Sequence, residues 1–189
     1  MVSHGNLSHN SACIQAAFQL DAKSVSVCWL PHYHDMGLID GILQPLYSGF
    51  HGVLLAPETF SKRPATWLQL IHRFGATHSG GPNSAYAQCS QRIAPQTLEG
   101  LDLSCWRSAY CGAEPVRADT LATFARSFQA FDFREEALVP CYGMAEATLM
   151  ISGGQLGQPP TLASMEHQSR QLVACGHAWL GTEIGRAHV

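Results

Sequence analysis

Four short segments carry the residue types that nucleotide chemistry uses. Tyr142-Gly143-Met144-Ala145-Glu146 sets a flat aromatic beside a glycine that permits close backbone approach, with a carboxylate following. That combination suits ring stacking, backbone hydrogen bonds to a ligand, and an oxygen ligand for Mg²⁺, which favours carboxylates and phosphates. In isolation it reads equally well as a turn with Glu146 in the first turn of a helix, where a carboxylate favours the dipole. Gly112-Ala113-Glu114-Pro115 fits a strand-to-helix turn in which Pro115 sets the first helical residue. Ser79-Gly80-Gly81-Pro82-Asn83 lacks the lysine and spacing of a Walker loop, so a tight packing turn is its better isolated reading. Pro31-His32-Tyr33-His34-Asp35-Met36-Gly37 invites zinc, because His-x-His followed by Asp can ligate it. No further ligand cluster stands at recognisable spacing, although His72, His78 and His167 exist, so a metal-dependent hydrolase built on His32, His34 and Asp35 is the minority reading. The sequence has no Gly-x-Ser-x-Gly elbow, which argues against a serine hydrolase.

The elements that must hold these segments alternate. Residues 6–20 predict a helix capped by Ser8 or Asn10, and 37–47, 63–74, 84–93 and 116–131 predict further helices. Strands are expected at 24–30, at 52–56 as a second buried strand, at 76–79 ending in Gly80-Gly81-Pro82, at 106–111 and at 137–141. The strands are continuous apolar runs, as in a sheet buried on both faces. The expected fold class is therefore α/β, a mainly parallel sheet flanked by helices. Such sheets bind ligands beyond the carboxyl ends of their strands, and all four segments fall there. A composite site is a better explanation than four unrelated turns.

Composition narrows the function classes. The 189 residues are 46% hydrophobic but only 13% charged, about half the usual share of ~25%. So bare a surface is expected to be covered by further chain or a partner, and to self-associate when it is not. A net charge of −3 gives no basic field for nucleic acid or anionic membrane. No apolar run approaches the ~20 residues of a membrane span. The start shows no secretory pattern, which makes a cytoplasmic location the default expectation. The seven cysteines are odd in number, contain no Cys-x-x-Cys, and mostly lie in apolar stretches, so all read as small hydrophobes.

Taken in order, the segments resemble the adenylate-forming (AMP-binding) enzymes, specifically the fatty acyl-AMP ligase branch. The resemblance runs from Val2 to about Glu183. It is strongest in Trp29-Leu30-Pro31-His32-Tyr33-His34-Asp35-Met36-Gly37-Leu38-Ile39, Gln44-Pro45-Leu46-Tyr47, the Ser79 and Gly112 segments, and Pro140 through Thr148. It implies ATP-driven conversion of a fatty acid to acyl-AMP and pyrophosphate, for lipid or polyketide and lipopeptide biosynthesis. A long-chain acyl-CoA synthetase is the alternative, and a non-catalytic acyl- or nucleotide-binding fragment a third. The resemblance assigns Glu146 to Mg²⁺ and catalysis, and Gly112, Ala113, Glu114, Tyr142, Gly143 and Met144 to the nucleotide. It places His34, Asp35, Met36, Gly37, Gly80, Gly81 and Pro82 around the acyl chain and its carboxylate, with His34 at the reaction.

The family's Ser/Thr- and Gly-rich phosphate loop, its ribose-binding Asp and its C-terminal lysine have no match here. Residues 1–183 are therefore expected to be part of an adenylation domain, inactive by itself, with 184–189 a non-native tail. The stretch 153–173, where acyl-AMP ligases tend to carry an insertion, is short, leaving carrier protein and coenzyme A both open as acceptor.

Overall fold

The computed structural model describes residues 1–164, 171–179 and 181–185. Part of the short 153–173 stretch and most of the expected tail lie outside that set.

Helix α1 (His4–Phe18) begins earlier than the apolar pattern predicts, because Ser3 caps it. The Ser3 hydroxyl accepts the Asn6 N–H at 3.2 Å while the Asn6 side-chain oxygen accepts the Ser3 N–H at 2.9 Å. Asn10, expected as a cap, is buried instead and bonds both backbone groups of Met150, at 2.8 and 3.0 Å. Strand β1 (Val25–Cys28) leads through the His34 loop into a π-helix (Met36–Leu43), which α2 (Gln44–Ser48) continues. The single α-helix expected at 37–47 is thus two windings. Strand β2 (His51–Leu54) is followed by α3 (Pro57–Lys62), which the sequence pattern did not predict, and α4 (Ala65–Phe74). Then come β3 (His78–Gly81), α5 (Asn83–Arg92), β4 (Ser108–Cys111), α6 (Ala118–Phe128) and β5 (Leu138–Gly143). The described chain closes with β6 (Met150–Gly153), β7 (Leu162–Ser164), β8 (Gln171–Val173) and β9 (His177–Ala178).

Among the described residues, seven strands form one sheet in the order β2-β1-β3-β4-β5-β6-β9, with β7 and β8 paired separately. The first five are parallel, as the apolar runs predict. Strands β6 and β9 add antiparallel to that frame. Strand β2 corrects an expectation: it is an edge strand, not a buried one, and Leu54 is 62% exposed. Gly80 and Gly81 also lie within β3 rather than beyond it. A Cβ on Gly80 would fall on the Tyr110 carbonyl, and one on Gly81 would stand 2.7 Å from the Trp29 ring, so both glycines serve packing.

The alternation of side chains along β4 separates two cores. Ala109 and Cys111 face a layer built from Trp67, Leu68 and Ile71 of α4, Tyr86 of α5 and Phe124 of α6. Tyr110 faces the other layer, with Ile14 and Phe18 of α1, Met36 and Ile39 of the π-helix, and Met150. The first layer is aromatic at its centre, where the Trp67 and Trp106 N–H groups both find acceptors. Trp67 and Trp106 meet edge to face at 5.2 Å, the Trp67 N–H donates to Ser79 Oγ at 2.8 Å, and Ser79 donates onward to the Val27 carbonyl. Truncating one such buried ring typically costs about 3–5 kcal/mol, so this layer is the frame that the second, looser layer is built on.

Candidate active site

The second layer contains a cavity of about 450 Å³, enclosed by α1, the π-helix and the ends of β4, β5 and β6. Its volume is that of an ordinary small-molecule site. Burial distinguishes mouth from floor. Tyr33, Tyr142 and Met144 are 84%, 51% and 39% exposed, whereas Phe18, Tyr110 and Asp40 are 5%, 3% and 5% exposed. The mouth is aromatic and thioether; the floor is apolar apart from Asp40 and Tyr110.

One wall of the mouth comes from the loop after β1. His34 donates its N–H to the Pro31 carbonyl at 3.0 Å, and its carbonyl accepts from Leu38 at 2.9 Å. Asp35 accepts the Met36 N–H at 2.7 Å and caps the π-helix, with His34 Nδ1 at 2.6 Å from the same carboxylate. Both histidine and aspartate are thereby held in place, and among the described residues no group of three His, Cys, Asp or Glu side chains converges to hold a metal. Gly37 sits where a Cβ would strike the Pro31 carbonyl, which locks the winding against the loop.

The facing wall comes from the β5–β6 connection. Tyr142 and Gly143 end β5, and the ladder shifts register between them before Met144 N–H bonds the Leu149 carbonyl at 2.9 Å. The Tyr142 hydroxyl lies 3.8 Å from Met144 Sδ, so ring and thioether form one exposed face. Ala113 completes the rim from the end of β4, with a left-handed φ of 67° that a non-glycine residue seldom adopts. Strain of that kind concentrates at functional sites.

The remaining expected residues stand elsewhere. Gly112 lies against β5, where a Cβ would come within 2.9 Å of the Cys141 carbonyl. Glu114 turns away from the cavity and accepts the Ser84 N–H at 2.5 Å in the first turn of α5. Gly80, Gly81 and Pro82 do not line the cavity, because β3 carries the glycines into the sheet and Pro82 starts α5. Glu146 occupies a 3₁₀ turn (Ala145–Ala147) and faces a neighbouring hollow of about 230 Å³ shared with His9, Asn10 and Thr148. The cavity and this hollow share Met150 and are joined along the chain by Met144 and Ala145. A single exposed carboxylate is a poor all-protein cage but fits Mg²⁺, which keeps waters and is bound through one or two carboxylates together with substrate phosphates.

Sequence reasoning missed Asp40 and its partner. Asp40 Oδ1 bonds His78 Nε2 at 2.9 Å, and His78 Nδ1 lies 3.0 Å from Ser108 Oγ. His78 is wedged between Phe18 and Tyr110, with ring centroids at 4.9 and 5.0 Å. Burial, and then the charge of Asp40, push the Tyr110 hydroxyl well above its ordinary pKa, so it remains a donor. One signal was legible, an aspartate inside the apolar run Leu38-Ile39-Asp40-Gly41-Ile42-Leu43. Cys141 also lines the cavity; burial pushes its thiol up to about 12, which leaves it protonated and a weak nucleophile at neutral pH.

The whole arrangement has known counterparts. Residues 1–185 match the AMP-binding enzyme family. The medium-chain-fatty-acid–[acyl-carrier-protein] ligase JamA of Moorena producens is 43% identical over 94% of this chain and 31% of its own length. The long-chain-fatty-acid–AMP ligase FadD23 of Mycobacterium tuberculosis is 38% identical over 88% of this chain and 30% of its own. A fatty acyl-adenylate ligase from L. pneumophila, solved with acyl adenylate and pyrophosphate, superposes with a TM-score of 0.89 at 41% identity, covering 94% of this chain and 34% of that one.

Proposed function

The chain belongs to the AMP-binding enzyme family, and from that membership we propose that it forms the nucleotide, magnesium and acyl walls of a fatty acid–AMP ligase. It spans about a third of the length of the relatives it matches, so the complete reaction belongs to a larger assembly of elements. The observation that carries the reading is the meeting of the His34 loop and the Tyr142–Met144 segment across one apolar-floored cavity at the carboxyl ends of parallel strands.

In the proposed reaction the fatty acid's carboxylate oxygen attacks the α-phosphorus of ATP in line, an O–P bond forms, and pyrophosphate leaves with the electrons of the broken bond. Such a step asks for alignment and charge neutralisation more than for acid–base chemistry. Tyr142 and Met144 offer the adenine a flat face, and Ala113 closes its edge. Glu114 acts from behind, tying the Gly112–Pro115 turn to α5. His34, fixed by Asp35, borders the reacting carboxylate, while the buried floor takes the chain. Mg²⁺, held by Glu146, would neutralise charge on the phosphates. The acceptor of the acyl group is proposed to be an acyl carrier protein, the acceptor in the name of the JamA relative.

Binding of a decanoyl sulfamoyl adenosine, a stable mimic of the acyl adenylate, tests this reading. A ligand at 100 times its Kd stabilises the fold by about 2.7 kcal/mol. For a chain of this size that is a Tm rise of about 5–10 °C. Tyr142→Ala is expected to weaken the mimic about 10- to 100-fold, since stacking contributes about 1–3 kcal/mol per base. The unliganded Tm should hardly move, because the ring is half exposed. No shift with the mimic, or instead a zinc-dependent shift abolished by His34→Ala, would overturn the proposal.

A further inference from the structure

Asp40 is the unexplained feature of the cavity. It is a carboxylate on the wall of a floor whose other polar group is the Tyr110 hydroxyl, and it is more than nine-tenths buried. Its presentation is built rather than incidental. The π-helix that carries it is a rare winding, concentrated at functional sites. That helix is pressed so closely on β1 that a Cβ on Gly41 would overlap the Cys28 sulfur. From the other side, the Asp40–His78–Ser108 chain of hydrogen bonds fixes the carboxylate's direction.

Resting on the fatty-acid reading above, we propose that the cavity is made for an acyl chain bearing a hydroxyl group at the end that reaches the floor. Asp40 is the specificity-determining residue that accepts the hydroxyl's hydrogen bond, and the Tyr110 hydroxyl stands beside it. The physical reason is the asymmetry of buried polar groups. A purely methylene chain would expel water from around Asp40 and leave the acceptor capacity that His78 and Tyr110 do not use unmet, which is penalised in a buried site. A terminal hydroxyl replaces the lost water. Sites that hydrogen-bond a substrate hydroxyl reject the analogue lacking it far more strongly than apolar pockets reject an extra methylene, by ~10⁴–10⁵-fold against ~10–200-fold. His78 already uses one oxygen of Asp40 and the Tyr110 hydroxyl also faces the carboxylate, so the gain is expected to be only about tenfold.

The experiment compares pairs of acyl sulfamoyl adenosines, octanoyl, decanoyl and dodecanoyl against their ω-hydroxy counterparts, for binding to the unmodified chain by calorimetry. At the length that reaches the floor, the hydroxylated member is expected to bind about tenfold more tightly than its plain partner. Asp40→Leu should erase or reverse that ratio, and Asp40→Asn, which can still accept a hydrogen bond, should keep part of it. Because the first comparison uses the unmodified chain, misfolding of a variant cannot hide the answer. Plain mimics that bind as well as or better than hydroxylated ones at every length would overturn the role of Asp40 and leave the ligase reading standing. Failure of every mimic to bind would overturn both.

Discussion

No ATP–pyrophosphate exchange above background is expected from this chain with any fatty acid, even with Mg²⁺ present. Neither lysine nor arginine lines the cavity or the hollow beside it. The negative charge that develops on the α-phosphate therefore meets no lysine or arginine from these walls, and neither grips the β- and γ-phosphates. Preorganised donors of that kind are usually the largest catalytic contribution, and removing a single one typically costs ~10²–10³-fold. Here several would have to come from outside these walls. Binding is a different matter, since stacking on Tyr142 and burial against Phe18 and Met150 are local. The sharp expectation is thus a chain that binds the adenylate mimic and does not make the adenylate. Incorporation of radiolabelled pyrophosphate into ATP measures it, with Glu146→Ala as the control. Exchange in the unmodified chain clearly above that control would show that the walls already contain what the reaction needs.

The parallel frame was legible because its signal is local. Val27 and Cys28, or Leu138 and Val139, are apolar neighbours that only a sheet covered on both faces explains, and they form it. The structure brings the His34 and Tyr142 segments to one cavity, as their shared place beyond the strand ends suggested, although neither segment alone distinguished a site from a turn. What the sequence hid depends on distance or on space. Asp40 and His78 meet across 38 positions, and nothing near either residue names the other. Gly80 and Gly81 read as a turn because glycine usually marks one, whereas here they make room for Tyr110 and Trp29. The π-winding is packed closely on β1, and its residues show no period that differs visibly from an α-helix. Strand β2 has the apolar composition of an interior strand, and only the sheet order reveals it as an edge. Among the described residues no helix is long and apolar enough to cross a membrane, in line with the absence of long apolar runs.

Gly143→Ala separates two explanations of the same glycine, and its expected effect on the fold is the largest of any substitution considered. By residue type alone, Gly143 reads as a place where a nucleotide approaches the backbone. The structure supplies a different reason: a Cβ there would fall on the Leu149 carbonyl carbon and oxygen, inside van der Waals contact. Those are backbone atoms of the facing segment, and Leu149 is already committed to the Met144 N–H at 2.9 Å. No flexible side chain can swing aside. Accommodating the methyl group requires β5 and β6 to part at the register shift, which carries Tyr142 out of the mouth and Met150 out of the floor. Overlap of a methyl group with rigid facing backbone belongs with the rare substitutions costing more than about 4 kcal/mol. Chemical denaturation of Gly143→Ala should therefore show a large drop in midpoint or no cooperative transition, with binding of the adenylate mimic lost alongside. Tyr142→Ala, one residue away, should show the opposite pattern of intact stability and weakened binding. If Gly143→Ala instead melts within about 1 kcal/mol of the unmodified chain and only the mimic is lost, the glycine serves the ligand and the packing explanation is wrong.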